Sequence, residues 1–189
     1  MKKRVLVTFF CAFALIVKSQ NSSVEKSTFG IQTGFAGLWA YNELKLSNQF
    51  ALRSEIGFDA YYGNDDFYPD TDFLLTTVVT LEPRWYYNLN KRESNSKQIK
   101  GNSGNFFSIK TSLHHSDLLI VFGDDEEAKI VTDLSIVPTW GIRRNLGNHF
   151  NYEAGIGAGY IHFFGKNAGF TADKGDLAIN LHLRIGYRF

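Results

Sequence analysis

The chain has 189 residues, of which 44% are apolar and 21% charged, so it is not a disordered chain. With 17 Phe, 9 Tyr and 17 Gly beside a single Met, its composition does not suggest a helical bundle. The net charge of +1 lacks the basic excess typical of nucleic-acid binders, so we expect no nucleic-acid partner.

The N-terminus has the layout of a secretory signal peptide. Residues 2–4, which follow the initiating Met, are basic, and residues 5–17 are apolar. Val17 and Ser19 lie just before a suitable cleavage point. An uncleaved anchor or a buried helix is the alternative, but this apolar run spans only ~20 Å as a helix against a hydrocarbon core of ~30 Å. We therefore expect a signal peptide at residues 1–19 and a single domain at residues 20–189. Cleavage removes Cys11, so the mature chain can form no disulfide.

Alternation of apolar and polar residues, the pattern of β-strands, recurs along the rest of the chain. The strand-like stretches are residues 28–46, 50–62, 79–87, 107–113, 130–142, 150–164 and 177–189. The first contains Phe29, Ile31, Phe35 and Trp39, and in the last every second residue from Leu177 onward is apolar. The longer connections predicted between strands are residues 63–72, 88–105, 116–129 and 165–176.

Strands with one apolar and one polar face fit two architectures. One is a soluble, lipocalin-like barrel with the apolar faces inside, and the other is a transmembrane barrel with those faces on lipid. Charges of both signs at mid-strand favour a lumen filled by paired charges, and aromatic residues near the strand ends are expected of girdles at the two membrane interfaces. The aromatic residues are Trp85, Tyr87, Trp140, Phe150, Tyr152, Tyr160, Phe164, Tyr187 and Phe189. These features favour the transmembrane barrel.

The chain ends on an alternating strand with an aromatic last residue. Residues 181–189, Leu-His-Leu-Arg-Ile-Gly-Tyr-Arg-Phe, resemble the C-terminal signature of Gram-negative outer-membrane β-barrel proteins. Residues 81–87 and 138–143 resemble strands of the small OmpX- and OmpW-like barrels. The resemblance implies location in the cell outer membrane, outer-membrane lipids and lipopolysaccharide as partners, and Tyr187 and Phe189 as a signal read by the barrel-assembly machinery. It carries no information about activity, and we expect a monomer with no cofactor.

The number of recognised strand-like stretches is odd, so one more strand is needed before the barrel can close. Single-chain bacterial barrels have an even number of strands, whereas seven stretches are recognised. Splitting residues 28–46 near residues 34–37 gives eight strands and places both termini and the basic 88–105 connection at one end. An extra strand at residues 118–122 is the alternative, and it reverses the sidedness of every earlier loop. We favour the split, and hence an all-β, closed, antiparallel up-and-down transmembrane β-barrel of eight strands.

Eight strands leave an interior just wide enough for side chains to fill. The polar faces place a set of charged and titratable residues there. The set is Arg53, Glu55, Glu82, Arg84, Arg143, Glu153, His182 and Arg184. Because unpaired buried charges are costly, these side chains must satisfy one another. We expect an ionic core that holds the barrel shut, with a narrow ion or solute path as the alternative.

Nucleophile, base and acid residue types crowd together only at His114, His115, Ser116 and Asp117. Some outer-membrane barrels modify lipid A with His and Ser residues at the outer rim, so this cluster is the candidate site of an acyltransferase or deacylase. Adjacent residues of a strand point to opposite faces, however, whereas a catalytic relay needs side chains that converge. The histidines also lack the spacing of a zinc motif, so no metal site is expected. We therefore favour a structural or interaction role, in which a largely closed barrel presents extracellular loops, over an enzyme or a channel.

Overall fold

The computed structural model describes residues 22–35, 37–61, 74–121 and 131–189, with the backbone alone at residues 61, 74 and 116–121. Eight antiparallel strands pair in chain order, and β1 also pairs with β8, so the sheet closes into a barrel. The predicted all-β, closed up-and-down fold of eight strands is confirmed. The strands are β1 (Ser27–Gly34), β2 (Gly37–Lys45), β3 (Phe50–Tyr61), β4 (Leu74–Trp85), β5 (Asn105–Val121), β6 (Asp133–Leu146), β7 (Phe150–Phe163) and β8 (Lys174–Arg188). The predicted signal peptide lies outside the described residues.

The first two strands form a tight hairpin. Their pairing runs from Ser27 opposite Leu44 to Gly34 opposite Gly37, which confirms the split near residues 34–37. Gly37 has a φ of +148°, and a Cβ there would overlap the carbonyl oxygen of Phe58 on β3, so a glycine is required. The alternative strand at residues 118–122 is wrong, because β5 continues without a break to Val121.

Each end of the barrel has its own set of connections. The end that carries residues Ser27 and Arg188, here called the terminus end, also carries the connections 46–49, 86–104 and 147–149. The opposite end, here called the far end, carries the other four. The predicted connection 116–129 begins too early, since β5 extends to Val121, and the predicted connection 165–176 ends too late, since β8 begins at Lys174. The predicted connection 63–72 lies outside the described residues.

Side chains alternate between the two faces of the barrel wall, with the large apolar ones outside. Those at least half exposed include Ile56, Leu81, Ile109, Ile156, Leu177, Ile179, Leu181, Leu183 and Ile185. The alternative of a barrel with its apolar faces inside is therefore wrong. Trp39 faces inward and is only 3% exposed. Phe29 and Ile31 face outward, and the hairpin between β1 and β2 changes which alternate residues point inward.

The connection between β4 and β5 folds against the terminus end of the barrel instead of forming a solvated loop. It contains α1 (Leu89–Ser94) and a 3-10 turn at Lys100–Asn102. Val24, Ala51, Tyr86, Leu89 and Phe106 form a buried apolar cluster there, and Ile99 packs against it. We call residues 86–104 the terminus-end plug.

Polar contacts fix the plug to the barrel and to the N-terminal segment. The Asn102 side chain accepts a hydrogen bond from the backbone N–H of Glu25 at 2.8 Å and donates one to the Glu43 carboxylate at 2.6 Å. The Asn88 side chain accepts one from the backbone N–H of Asn105 at 2.7 Å. Ser22 donates to the Glu93 carboxylate. Both ends of the plug are thus held by hydrogen bonds.

The strands differ in length, and this leaves one strand edge without a partner. β1 pairs with β8 from Gly34 opposite Arg184 to Gly30 opposite Arg188, whereas β7 pairs with β8 as far as Lys174. Among the described strands, the ten residues before Arg184 in β8 therefore pair with β7 alone. We call residues 174–183 the free edge of β8.

Candidate functional site

Four arginines and four glutamates meet inside the barrel, in the half nearer the terminus end. They come from six strands and none is more than 3% exposed. The residues are Glu43 on β2, Arg53 and Glu55 on β3, Glu82 and Arg84 on β4, Arg143 on β6, Glu153 on β7 and Arg184 on β8. We call this set the ionic layer. It contains seven of the eight residues predicted for the interior, and the eighth, His182, lies beside it.

Glu153 is the central acceptor of the ionic layer. Arg84 donates to both of its carboxylate oxygens, from Nη1 at 2.8 Å and from Nη2 at 2.7 Å. The Nη1 atoms of Arg53 and Arg143 lie 3.7 and 3.9 Å from Glu153 Oε2. His182 Nε2 lies 3.5 Å from its other oxygen. One carboxylate thus lies against cationic or titratable groups from four other strands.

A second carboxylate, Glu55 on β3, joins that strand to β8. Arg184 Nη1 donates to both Glu55 oxygens, at 2.9 and 3.1 Å, and Arg53 Nε donates to the same carboxylate. Arg53 Nη2 also donates to Gln32 at 2.5 Å, and Gln32 donates to Asn151 at 2.8 Å. The polar contacts therefore run across the interior from wall to wall.

Glu43 belongs to the ionic layer although sequence reasoning missed it. Its carboxylate accepts from Arg143 Nη1 at 3.1 Å, and Arg53 and Arg84 each place Nη1 3.7 Å away. Glu43 shares its strand face with Trp39 and Tyr41, so that face is apolar in sequence. The β1–β2 hairpin shifts the alternation of inward and outward residues, and that shift is the sequence signal that could have identified Glu43 as an interior residue.

Aromatic rings cover the guanidinium groups of the ionic layer. The guanidinium carbon lies 3.8 Å from the ring centre of Trp39 for Arg184, 4.0 Å from Tyr41 for Arg53 and 4.2 Å from Phe106 for Arg84. Such contacts are favourable for a desolvated cation. This half of the interior is therefore packed by charge pairs and rings.

The plug adds an apolar layer below the ionic layer. Tyr86 is fully buried, and its hydroxyl has no hydrogen-bond partner among the described residues. Burial, reinforced by the nearby Glu43 carboxylate, raises the pKa of Tyr86 above its ordinary value. The Tyr86 side chain therefore stays neutral at physiological pH and acts as part of an apolar seal.

The interior of the far half contains a cavity of about 390 Å³. Its lining is mixed, with ionisable, hydroxyl and amide side chains beside apolar ones. The polar members include Asp59, Lys110, Ser112, His114, Ser135, Asn180 and His182, and the apolar members include Phe35, Val137, Ile161, Phe163 and residues of the free edge of β8. The same barrel wall thus encloses a packed half and an open half.

The structure separates the two histidines of the cluster proposed for catalysis. His114 points inward, with Nδ1 2.8 Å from Asp133 Oδ1 and Nε2 3.1 Å from Asp59 Oδ2. His115 is exposed on the opposite face, and Ser116 is described by its backbone alone. A Ser–His relay needs one imidazole nitrogen on the hydroxyl. Both nitrogens of His114 instead lie against carboxylates, and Asp59 also accepts from Trp39 Nε1 at 2.6 Å.

The two aromatic residues of the C-terminal signature lie on the outer face at the terminus end. The Phe189 ring stacks on Phe29 with centres 5.4 Å apart and meets Tyr187 edge-on at 5.4 Å. Other outward aromatic residues continue this group round the rim, including Phe50, Trp85, Tyr87, Phe107 and Phe150. Tyr160 and Phe164 lie towards the far end. A dense aromatic ring therefore marks one end of the barrel.

Two kinds of feature are absent from the described part of the chain. It contains no group of three or more His, Cys, Asp or Glu side chains that could hold a metal ion. Nor does it contain a helix long and apolar enough to cross a membrane. No protein-family model, no curated protein sequence and no solved structure matches this chain.

Proposed function

We propose that this protein is an outer-membrane β-barrel with a structural or interaction role, closed by its ionic layer and presenting its far-end connections to the cell exterior. The observation that carries the proposal is the inverted polarity of the barrel. Side chains such as Ile56, Ile156 and Ile179 are 58–71% exposed, whereas arginines and glutamates are buried. Large exposed apolar surfaces are rare on soluble monomers, and lipid would cover this one.

The strand lengths support the membrane-spanning part of the proposal. A transmembrane strand takes ~9–11 residues when tilted. β3 and β4 have 12 residues each, and β6 and β7 have 14 each. β1 and β2 are shorter, with 8 and 9 residues. Most of the wall is therefore long enough to cross the hydrocarbon core and extend beyond it.

The proposed orientation places the terminus end in the periplasm. The described N-terminal segment, which begins at Ser22, and the C-terminal Phe189 lie at that end, as expected of a protein inserted after export through a signal peptide. The far-end connections are then extracellular, and they include the acidic run Asp124-Asp125-Glu126-Glu127. Lipopolysaccharide and outer-membrane lipids are the partners that such a barrel would contact. Tyr187 and Phe189, exposed at the periplasmic rim, would present the signal to the barrel-assembly machinery.

The proposed barrel does not conduct ions. The buried charges of the ionic layer pair with one another, and the aromatic rings and the terminus-end plug occupy the space around and below them. We expect correctly folded protein to give no single-channel steps in a planar bilayer. Regular unitary steps would show that the ionic layer leaves a path.

A gel of the outer-membrane fraction, run with and without boiling, tests the location. A folded membrane barrel resists dodecyl sulfate until it is boiled, so we expect a mobility shift for protein recovered in that fraction. Ile156→Arg places a charge in the apolar belt and should cost about 2–4 kcal/mol if that position lies on lipid. Ser47→Arg, at an exposed turn, is the matched control and should fold normally. A water-soluble protein in which both variants fold equally well would overturn the proposal.

A further inference from the structure

Lys110 is a cation that the ionic layer does not use. It lies on β5 and lines the far-half cavity. Within the described part of the chain, its ammonium makes no hydrogen bond and no ion pair, whereas each arginine of the ionic layer is paired with a carboxylate. The Lys110 ammonium therefore faces the cavity with its donors unused.

The surroundings of Lys110 include one hydroxyl donor that is not otherwise engaged and two carboxylates, Asp59 and Asp176. The Ser135 hydroxyl makes no side-chain hydrogen bond within the described part of the chain, whereas the Ser112 hydroxyl pairs with Thr80 at 2.8 Å and the Asn180 amide donates to Thr139 at 2.9 Å. The Asp59 carboxylate is already engaged by Trp39 at 2.6 Å and by His114 at 3.1 Å. One ammonium beside a hydroxyl group suits a monoanion better than a dianion, because the repulsion from Asp59 and Asp176, which also line the cavity, grows with the charge of the ligand.

The β8 side of the cavity is polar within the barrel and apolar where it reaches the outer face. The cavity is lined by inward residues of β8, such as Asn180 and His182, and by its outward residues Leu177, Ile179, Leu181 and Leu183. Residues from both faces of one strand can line the same cavity only where it extends round the strand edge. That edge is the free edge of β8, where no described strand closes the wall.

We propose that the far half of the barrel binds a small amphiphile made of one carboxylate on a short hydrocarbon chain. The carboxylate is held by the Lys110 ammonium, and the chain lies along the apolar side of the cavity towards Leu181 and Leu183. The cavity volume of about 390 Å³ is within the usual range of small-molecule sites, roughly 300–1,000 Å³. This binding goes beyond the proposed membrane role, which decides only the side from which the ligand enters.

Calorimetric titration with sodium hexanoate tests the site. The refolded full-length protein is placed in lipid nanodiscs, and empty nanodiscs provide the background for partitioning into lipid. We expect saturable binding of hexanoate by the wild type, weakened about tenfold or more in Lys110→Gln, because the charge-assisted hydrogen bond is lost. Lys110→Arg should restore most of the affinity. Lys100→Gln removes an exposed lysine at the terminus end and should bind as the wild type does.

Two further probes identify which part of the ligand is recognised. Hexanamide has the same chain without the charge and should bind at least about tenfold more weakly than hexanoate. Inorganic phosphate has charge without a chain, and phosphate binding as tight as that of hexanoate would overturn the assignment to an amphiphile. Hexanoate binding that does not saturate, or that is equal in the wild type and in folded Lys110→Gln, would overturn the site altogether. The gel assay reports folding separately, so failure of the membrane proposal remains distinguishable from failure of this one.

Discussion

The two halves of the barrel interior are built from the same strands but use charge in opposite ways. In the ionic layer, Arg84 donates to both oxygens of Glu153 and to Glu82, each at 2.7–2.8 Å, and these side chains are at most 2% exposed. In the far half, Lys110 lines a cavity of about 390 Å³ and has no ion-pair partner among the described residues. The difference shows that a barrel of eight strands need not be filled along its whole length. Pairing of buried charges fills one half, whereas the side chains of the other half leave a cavity.

The largest effect is expected from removing Glu153, the central acceptor of the ionic layer. Glu153→Gln leaves the Arg84 guanidinium buried with Glu82 as its one remaining hydrogen-bonded carboxylate among the described residues. It also removes the negative charge that lies 3.7 and 3.9 Å from Arg53 and Arg143. We expect a loss of about 3–5 kcal/mol in the free energy of unfolding, measured by urea titration in phospholipid.

The matched control for Glu153→Gln removes a carboxylate from an exposed pair. Asp173 lies 3.9 Å from Lys166, and both side chains reach solvent. Asp173→Asn should therefore cost less than about 1 kcal/mol. Equal urea midpoints for the wild type and Glu153→Gln would contradict a packed ionic layer.

A pair of serines tests the difference in packing directly. Ser108 is 8% exposed and donates to Glu82 at 2.6 Å, whereas Ser135 borders the cavity. Ser108→Leu should cost about 1–3 kcal/mol, because it removes that hydrogen bond and forces a larger side chain into a filled layer. Ser135→Leu should change the free energy of unfolding by less than about 1 kcal/mol, since the cavity accepts the added volume. Urea titration of both variants checks the order, and equal costs would mean that the halves are packed alike.

The smallest effect concerns two neighbouring tyrosines at the terminus end. The Tyr86 hydroxyl is buried without a partner among the described residues, whereas the Tyr87 hydroxyl accepts from Trp140 Nε1 at 3.0 Å and from Asn105 at 3.2 Å. Near pH 7, Tyr86→Phe should be neutral within about 0.5 kcal/mol, and Tyr87→Phe should cost about 1 kcal/mol.

Tyr86 also predicts how the stability of the protein depends on pH in alkaline solution. The raised pKa of Tyr86 means that the folded protein keeps this proton to a higher pH than the unfolded chain does. Its contribution is complete below about pH 10, the ordinary pKa of tyrosine, and is lost as the pH rises further. Urea midpoints measured between pH 8 and 11 should fall less steeply for Tyr86→Phe than for the wild type. Parallel curves would show that Tyr86 is exposed to solvent.

Much of the interior was predictable because alternation determines which face a residue occupies. On β3, β4, β7 and β8 the charged residues stood out between apolar neighbours, and Arg53, Arg84, Glu153 and Arg184 lie inside as expected. Glu43 was missed because its strand follows a hairpin that changes the phase, and its inward neighbours Trp39 and Tyr41 are aromatic. The terminus-end plug was not predicted because its buried residues, Tyr86 and Leu89, follow neither the two-residue period of a strand nor the period of a long helix.

The amino-acid sequence by itself determined the fold class through its period-two alternation, and the number of strands through the even count that a closed barrel needs. It determined the polarity of the wall through the charges at mid-strand and the aromatic residues near the strand ends, since alternation alone fits either polarity. Pairing partners in the ionic layer, the folding of the 86–104 connection into a plug and the cavity at Lys110 were decided only by the tertiary structure. They depend on the relative lengths and stagger of neighbouring strands. The short β1–β2 hairpin leaves the edge of β8 free, and no local sequence pattern encodes how far one strand extends beyond its neighbour.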